Sequence, residues 1–424
     1  MVTGTSLSSV FPAGSRLNER GRLEVGGCDA IELAREHGTP AYVVAEDDLR
    51  ARARAFVQAG RDAGHPDLRV VFASKAFPCA AVLALFAQEG LWCDVASGGE
   101  LHLALAAGFP PERIVLHGNA KSHAELEMAL DRRVGLIVID NFDEIERLQE
   151  LHGDGGPTQD VLIRVTPDVR GDTHEKISTG QADSKFGFAM AQAGEAIARV
   201  QATAGLALQG LHAHIGSQLL DLQPFRREAG ELARLGEFPV WDLGGGLGVR
   251  YTEQQPEPPS IEEYVGAVVA AAHEHGMGPE RTLMIEPGRA LCANAGVTLY
   301  TVESVKQNVS RWVAVDGGMS DNLRPMLYSA RYEAHVADRF GGSTACVLAG
   351  KHCESGDVIV RDAVLDDPRP GDVIVTPATG AYGFAMASNY NGVPRPPVVF
   401  CRDGDARVVV RRERYEDLAA RDVR

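Results

Sequence analysis

Lys75 is the residue whose position first suggests chemistry. It follows the short apolar run Val70–Ala73, which is typical of a buried β-strand, so its amine lies where a strand would reach the surface. An amine in that position loses hydration, and its lone pair becomes available to attack a carbonyl and form a Schiff base. The alternative is that Lys75 simply ends a strand with its amine in water. The residues at the other strand ends must decide between these two interpretations.

A glycine run follows a second apolar segment. Gly244, Gly245 and Gly246 come directly after Val240–Leu243. Because glycine has no side chain, main-chain amides in such a run can approach a phosphate closely. The run does not match the dinucleotide-binding pattern, since the third glycine position of that pattern is Val249. A tight turn is the alternative, but a turn rarely needs three glycines in succession.

Glu286 and Arg289 stand three residues apart at the end of the run Leu283–Ile285. A carboxylate that faces a pyridine nitrogen keeps the nitrogen protonated, and the ring then accepts electrons from a bond broken at the substrate carbon. These two residues therefore predict a site that binds an electron-accepting ring and keeps its nitrogen protonated. An ion pair that ties a loop is the alternative.

Two histidines share one face of a strand because they are two residues apart. His212 and His214 could bind a metal, as in barrel hydrolases. Those enzymes carry the pair on the first strand and need further histidines and an aspartate at later strand ends, so the metal interpretation is the weaker one. We expect His214 to stack on a flat ring, and His212 to be an ordinary core histidine.

The C-terminal third carries three glycine-rich polar segments, 316–328, 350–357 and 379–382. Arg324 can bind a carboxylate through two hydrogen bonds, and Glu354 can hold an ammonium group. Cys353 lies beside a histidine and is a candidate proton donor. Together these residues predict a site for a substrate with a charged amino-acid group at its far end.

Eight apolar runs separated by helix-prone stretches must position these residues. Strand and helix alternating eight times predict a (β/α)₈ barrel, with the polar residues at the carboxyl ends of its strands. A doubly wound open sheet is the competing architecture. The runs are Arg69–Ala73, Trp92–Val95, Ile114–Leu116, Leu136–Ile139, Val161–Val165, Leu211–His214, Val240–Leu243 and Leu283–Ile285.

The domain organisation follows from where this alternation begins and stops. We expect the barrel to span residues 41–292 and an all-β domain, a Greek-key barrel or sandwich, to span 293–424, because short β-type runs and turns dominate there. The composition of residues 1–40 suggests that they join the β-domain.

Composition narrows the class of partner. The 424 residues carry a net charge of -16, which argues against nucleic acid and anionic membranes as partners, since both need basic patches. Neither a secretory signal nor an apolar run long enough to span a bilayer is apparent. The seven cysteines are odd in number and form no Cys-x-x-Cys pair, as is typical of reduced thiols. We therefore expect a cytoplasmic protein that acts on a small metabolite.

The motifs together resemble a known family. Phe72–Ala76, His117–Ser122, Ser184–Gly187, His212–Ser217 and the glycine run stand in the order found in pyridoxal-phosphate decarboxylases of the alanine racemase-like fold, specifically the diaminopimelate decarboxylases. The resemblance covers about residues 40–391. It implies decarboxylation of meso-2,6-diaminopimelate to L-lysine, the last step of lysine biosynthesis. Ala120 departs from the family, which often has a second asparagine there.

The resemblance also implies roles for single residues. Lys75 would form the Schiff base, His214 would stack on the ring, and Glu286 would face the pyridine nitrogen. Cys353 would protonate the substrate carbon, reaching across from the second subunit of a homodimer with shared sites. The implied cofactor-binding residues are Lys75, His214, Ser217, Gly244, Gly245, Gly246, Glu286, Arg289 and Tyr382, and the implied substrate-binding residues are Arg289, Arg324, Tyr328, Glu354 and Tyr382.

Other functions on the same fold predict different residues. A decarboxylase of ornithine, arginine or a D-amino acid has no distal carboxylate to bind, so it would not need Arg324 and Tyr328 beside Glu354. A racemase would carry a tyrosine base in the β-domain and would have little use for Cys353. A relative that binds no cofactor is disfavoured by Lys75 and the glycines.

Overall fold

The structure is a computed structural model that describes residues 7–153, 156–169 and 184–423. The chain forms two compact units. The barrel unit comprises residues 52–248 and 258–290, and the β-unit comprises 7–51, 249–257 and 291–423. The predicted boundaries at residues 41 and 292 therefore differ from the units, because residues 41–51, 249–257 and 291–292 lie in the β-unit.

The described residues form strands and helices that are numbered in chain order. The strands are β1 (Arg16–Leu17), β2 (Leu23–Val25), β3 (Cys28–Asp29), β4 (Ala41–Ala45), β5 (Arg69–Ala73), β6 (Trp92–Val95), β7 (Ile114–Leu116), β8 (Leu136–Ile139), β9 (Gln159–Thr166), β10 (Phe188–Ala189), β11 (Leu206–His212), β12 (Val240–Asp242), β13 (Thr282–Ile285), β14 (Gly296–Gln307), β15 (Arg311–Val315), β16 (His335–Val336), β17 (Thr344–Ala349), β18 (Val358–Leu365), β19 (Val373–Thr376), β20 (Val398–Arg402) and β21 (Asp405–Val410). The helices are α1 (Ala30–His37), α2 (Glu46–Asp62), α3 (Ala80–Gln88), α4 (Gly98–Ala106), α5 (His123–Arg132), α6 (Phe142–His152), α7 (Met190–Ala202), α8 (Gln223–Ala233), α9 (Ile261–Glu274), α10 (Arg289–Cys292), α11 (Arg324–Tyr328) and α12 (Tyr415–Leu418).

Eight parallel strands close into the predicted barrel. They follow the order β5, β6, β7, β8, β9, β11, β12 and β13, and β13 pairs with β5 to complete the ring. The predicted fold class is thus confirmed, and the first four strands have the predicted bounds. The sixth strand ends at His212, two residues earlier than predicted.

The barrel interior is apolar along the middle of the strands. Buried valines, leucines and a methionine fill it, namely Val71, Val115, Leu136, Val138, Leu162, Val240 and Met284. Strands covered on both faces need such continuous apolar runs, which is why the sequence reveals them. Most of the polar side chains described below lie past this packed layer, at the carboxyl ends of the strands.

Two polar residues at strand ends cap the helices that follow. The Ser97 hydroxyl accepts a hydrogen bond from the amide of Glu100 at 3.2 Å, and the Asn141 side chain accepts one from the amide of Glu144 at 3.0 Å. Both are therefore N-caps, of α4 and α6, which satisfy amides that have no partner within the helix. Their place at a strand end follows from the short connection between each strand and its helix.

A buried ion pair holds the loop after β7. The Lys121 ammonium donates to the carbonyls of Gly118 and Val138 at 2.8 and 2.6 Å and to the Glu144 carboxylate at 2.7 Å. The two charged side chains are 2% and 1% exposed. Ala120, the departure from the family, is exposed and lies beside this anchor. Lys121 thus fixes the segment that begins with His117.

The β-unit is built on a mixed sheet of order β18, β17, β15, β14, β4, β20 and β21. Strand β4 is antiparallel to β14 and parallel to β20, so residues 41–45 belong to this sheet and not to the barrel. The small sheet β1–β2–β3 contributes Leu23, Val25 and Cys28 to the same hydrophobic core as Val297 and Val399. The part of residues 1–40 that is described lies in this unit.

No helix in residues 7–153, 156–169 or 184–423 has the length and apolar character needed to cross a bilayer.

We expect Lys121→Ala to lower the free energy of unfolding by about 3 to 5 kcal/mol, because it leaves the Glu144 carboxylate buried without its counter-charge. Arg199→Ala is the matched control. Arg199 and Glu146 also form an ion pair, but their side chains are 41% and 58% exposed, so the loss should stay below about 1 kcal/mol. Urea unfolding followed by circular dichroism measures both. Equal losses for the two variants would show that the buried pair does not stabilise the loop.

Candidate active site

The Lys75 amine lies in a short 3₁₀ turn, Ser74–Ala76, directly after β5. It donates a hydrogen bond to the Asp94 carboxylate at 2.8 Å. The side chain of Lys75 is 48% exposed, whereas that of Asp94 is 2% exposed. A buried carboxylate from the neighbouring strand β6 holds the amine at the barrel mouth.

Glu286 is a buried acidic group in contact with two histidines. Its two carboxylate oxygens lie 2.7 Å from Nε2 of His117 and 3.2 Å from Nε2 of His212. Burial alone would raise the pKa of Glu286, but the two imidazoles outweigh burial and hold this pKa well below its ordinary range. Glu286 is consequently a charged carboxylate in the barrel interior, as a pyridine nitrogen would require.

The role expected for His212 was wrong. His212 is not an ordinary core histidine, because it contacts Glu286 directly. Burial lowers the pKa of His212 to about 4, with Glu286 opposing the shift, so the ring is neutral and can donate one N–H to the carboxylate. The signal in the sequence was the spacing of His212 and His214, which we interpreted as one functional residue and one structural residue.

Four side chains in this region have the composition of a metal site. Ligand atoms of His117, His212, Asp242 and Glu286 lie within 4.8 Å of one another, and all four residues are buried. The histidine nitrogens are 2.7 and 3.2 Å from the Glu286 oxygens, which are hydrogen-bond distances. Two ligands of a tetrahedral zinc ion would be about 3.3 Å apart, because each bond is about 2.0 Å long. The 2.7 Å separation of His117 and Glu286 is too short for two ligands of one ion, so the cluster is better described as side chains in direct contact with Glu286.

The glycine run lies against the ends of two other barrel strands. A Cβ atom at Gly245 would be 2.0 Å from the Glu286 carbonyl oxygen, and one at Gly246 would be 2.3 Å from that of Gly216. Gly244 has φ +56°, a conformation that favours glycine. The run leaves no room for side chains, so the backbone itself lines this part of the barrel mouth.

Two amides of the run have partners within the protein. Gly244 N–H donates to Asp242 at 3.0 Å, and Gly245 N–H donates to Nδ1 of His214 at 3.1 Å. The second bond orients the His214 ring. Burial, reinforced by the positive charge of Lys75, holds the pKa of His214 well below its ordinary value, so the ring is neutral. Gly244 and Gly245 thus let the backbone pass close to the neighbouring strand ends, while their amides form hydrogen bonds within the protein.

Ser217 and Arg289 lie together at the barrel mouth. The Arg289 guanidinium donates to the Ser217 hydroxyl at 2.8 Å, and Arg289 is buried. Arg289 begins α10, three residues after Glu286. The structure therefore brings together the barrel residues predicted from the sequence, namely Lys75, His214, Ser217, Gly244, Gly245, Gly246, Glu286 and Arg289.

The sequence analysis missed two charged residues within the barrel strands. Asp94, in β6, binds Lys75. Arg164, in β9, is buried with its guanidinium 4.3 Å from the centre of the Phe186 ring. Burial lowers the pKa of Arg164, although several carboxylates, Asp140 and Glu286 among them, oppose the shift. A charged residue inside an otherwise apolar run was the signal that could have found both.

The predicted substrate residues of the β-unit occupy two different environments. Arg324 is 5% exposed, its guanidinium carbon lies 4.5 Å from the centre of the Tyr251 ring, and it donates to the Tyr332 hydroxyl. Tyr328, at the end of α11, and Tyr382 are half-buried, and Tyr382 has the unusual φ of +65°. Arg324 is therefore positioned by aromatic side chains that the sequence analysis did not identify.

Cys353 and Glu354 are exposed in the loop between β17 and β18. The base of this loop is rigid, because Asp357 accepts hydrogen bonds from the amide and the ring of buried His352 at 2.9 and 2.8 Å. The Cys353 amide donates to the Asn391 side chain at 2.9 Å. The loop thus presents a thiol and a carboxylate to solvent from a fixed backbone.

Comparison with known proteins gives the family. Residues 46–293 match the family described as "Pyridoxal-dependent decarboxylase, pyridoxal binding domain". The chain is 47% identical to the diaminopimelate decarboxylase of Bacillus subtilis, over 96% of this chain and 97% of that protein. The chain belongs to the diaminopimelate decarboxylase family. The family enzyme of Mycobacterium tuberculosis H37Rv is 44% identical over 98% of both chains.

A solved structure of the same family has the same fold. The diaminopimelate decarboxylase from M. jannaschii, crystallised in complex with L-lysine, superposes with a TM-score of 0.91 at 33% identity, covering 97% of this chain and 98% of that one. The match to the pyridoxal-dependent decarboxylase family implies pyridoxal phosphate as the cofactor. The barrel residues fit this group, since they offer an amine, a charged buried carboxylate, a neutral imidazole and a glycine cradle that any Cβ would fill.

We expect His117→Ala to weaken binding of pyridoxal phosphate to the apoprotein about tenfold, because it removes one of the two imidazoles that keep Glu286 charged. Fluorescence titration of the apoprotein measures the Kd without any need for turnover. His102→Ala, an exposed position on α4, is the control and should leave the Kd unchanged. An unchanged Kd for His117→Ala would show that His212 alone suffices.

Proposed function

We propose that this chain decarboxylates meso-2,6-diaminopimelate to L-lysine and carbon dioxide, the last step of lysine biosynthesis, with pyridoxal phosphate as cofactor. The observation that carries the proposal is the pairing of a strand-end amine, Lys75, with the charged carboxylate of Glu286 within one barrel. The near full-length identity to diaminopimelate decarboxylases supports the choice of substrate.

The barrel residues would hold the cofactor in complementary ways. Lys75 would supply the amine that binds the cofactor covalently. Asp94 accepts a hydrogen bond from this amine. Glu286 would place a negative charge beside the ring nitrogen, and His117 and His212 keep Glu286 charged. When bound, pyridoxal phosphate supplies a conjugated ring that accepts the electron pair left by the departing carboxylate.

The remaining cofactor contacts concern the ring face and the phosphate. The neutral ring of His214, oriented by the Gly245 amide, can pack on a flat ring without a charge of its own. Ser217 and the glycine run are proposed for the phosphate, with Tyr382 of the β-unit as a further donor. Arg289 already binds Ser217 and can serve the phosphate side or the substrate carboxylate.

The β-unit residues are proposed to recognise the far end of the substrate. Arg324 is held by Tyr251 and Tyr332, so its guanidinium is already oriented before a carboxylate arrives, which lowers the entropic cost of binding. Tyr328 would add a hydroxyl donor. Glu354, exposed on its loop, would bind the distal ammonium group. A substrate without a distal carboxylate would leave Arg324 without that partner.

Cys353 is proposed as the acid that protonates the carbon from which the carboxylate has left. Its loop is fixed by Asp357 and Asn391, while the residue itself is exposed. An exposed thiol on a rigid loop is suited to entering the site of another subunit, so we propose a homodimer with two shared sites. A cytoplasmic location also remains a prediction of the sequence.

The first experiment measures carbon dioxide released from meso-diaminopimelate, ornithine, lysine and arginine. We expect release from meso-diaminopimelate alone, and Lys75→Ala should abolish both this release and the visible absorbance of the bound cofactor. Lys306→Ala, an exposed lysine of β14, is the control and should retain both. Equal release from ornithine would overturn the substrate assignment, and retained absorbance in Lys75→Ala would overturn the role of Lys75.

The second experiment tests whether the sites are shared between subunits. Lys75→Ala and Cys353→Ala proteins, each nearly inactive, are mixed through mild dissociation and reassociation. Random pairing makes about half of the dimers mixed, and each mixed dimer has one intact site, so about a quarter of wild-type activity should return. Subunits that exchange, as shown by mass spectrometry of tagged chains, without any recovered activity would place both residues in one chain.

A further inference from the structure

Asn391 contacts the backbone of the proposed proton donor. Its side-chain oxygen accepts a hydrogen bond from the Cys353 amide at 2.9 Å, and the two residues lie 38 positions apart in the chain. Only the oxygen of an amide side chain can accept from an N–H group, so this bond fixes which way the Asn391 side chain is turned. The contact joins the loop between β17 and β18 to the segment that precedes β20.

The amides on either side of Cys353 are held in a different way. The His352 amide donates to the Asp357 carboxylate at 2.9 Å, and the Glu354 amide donates to the His352 carbonyl at 2.7 Å. Both of these acceptors belong to the loop itself, whereas the Cys353 amide is bound from outside the loop by Asn391. Because a peptide group is planar, this bond restricts the direction of the Cys353 Cα–Cβ bond. The side chain of Asn391 therefore bears on where the thiol points.

The backbone of Asn391 bears on why this position carries an asparagine. Asn391 has φ +55° and ψ +22°, in the left-handed region, where residues other than glycine are uncommon and asparagine is enriched. The next residue, Gly392, also has a positive φ, of +68°. Glycine would adopt either conformation at lower cost, but it offers no side-chain acceptor. What the side chain at position 391 adds is therefore an acceptor for the Cys353 amide.

The turn that carries Asn391 is itself held in place. The Asn389 side chain donates to the Val393 carbonyl at 3.1 Å and closes the turn. The Tyr390 ring, directly before Asn391, stacks on the buried His352 ring, with centroids 5.7 Å apart and planes inclined by 13°. The turn and the loop therefore meet at two adjacent points, so the amide of the proton donor is bound from a fixed position.

We propose that Asn391 is a positioning residue for Cys353, and that its hydrogen bond directs the thiol toward the carbon from which the carboxylate has left. The inference rests on the proposed function, in which Cys353 delivers a proton to that carbon. Because Cys353 is exposed, its direction depends on its backbone. A displacement of about 1 Å in a reacting group can lower a rate about 100-fold. Asn391 acts through Cys353 and takes no part in the proton transfer itself.

The test compares two substitutions at position 391 in the full-length holoenzyme. Asn391→Gly suits the left-handed backbone and removes only the acceptor, so we expect kcat on meso-diaminopimelate to fall about tenfold. The ratio kcat/KM should stay within about twofold, because protonation follows the irreversible loss of carbon dioxide. Asn391→Asp keeps an acceptor oxygen and should retain kcat within about threefold. Asp403→Gly, at another left-handed position (φ +52°), is the control and should leave both parameters unchanged.

A second measurement needs no turnover. Hydrogen–deuterium exchange of the apoprotein, followed by mass spectrometry of a peptide spanning residues 351–355, should be faster in Asn391→Gly than in the wild type and in Asn391→Asp, because the Cys353 amide has lost its acceptor.

Three results would overturn the inference. They are unchanged exchange or unchanged kcat in Asn391→Gly, an equal fall of kcat and kcat/KM, and a loss of kcat that Asn391→Asp shares. Each of these presupposes a wild-type protein that is active on meso-diaminopimelate. A wild-type protein without that activity would instead overturn the proposed function, and with it the inference.

Discussion

The charge on Glu286 is the condition on which the polar interior of the barrel depends. A carboxylate so deeply buried would ordinarily be protonated. An isolated charge loses its hydration free energy on leaving water, and an apolar interior does not replace it. His117 and His212 reverse this outcome, with imidazole nitrogens that lie 2.7 and 3.2 Å from the two oxygens of Glu286. The adjacent Asp242 responds in the opposite way, since burial and the charge of Glu286 raise its pKa well above the ordinary value. Of the two neighbouring acids, one is therefore charged and the other neutral.

The arrangement of helices and loops around the barrel keeps this charge in place. His117 begins the loop after β7, and the buried Lys121–Glu144 pair anchors that loop to α6. The anchor satisfies every donor of the Lys121 ammonium within the protein, so the loop has little freedom to move His117. In a (β/α)₈ barrel, a packed apolar layer lies below the strand ends and supports a fixed layer of polar side chains there.

The sequence was sufficient for the barrel but not for every residue in it. Continuous apolar runs identified the eight strands, because strands buried on both faces admit few polar residues. The predicted domain boundary at residue 41 placed β4 with the barrel, because its pairing with β14 and β20 depends on residues far along the chain. Local patterns also could not show that His212 touches Glu286, or that Asp94 holds Lys75 at a half-exposed position. Such contacts join different strands, and their distances are set by the closed ring.

The position of β4 also bears on how the protein is made. This strand lies at the centre of its sheet and leaves the ribosome early, yet its two neighbours begin only at Gly296 and Val398. Its hydrogen-bonding edges therefore have no partners from this sheet during synthesis of the entire barrel. Contacts of such long sequence separation form slowly, and exposed strand edges invite pairing with other chains. Nascent chains of this protein thus carry a period of aggregation risk that ends only when the C-terminal strands emerge.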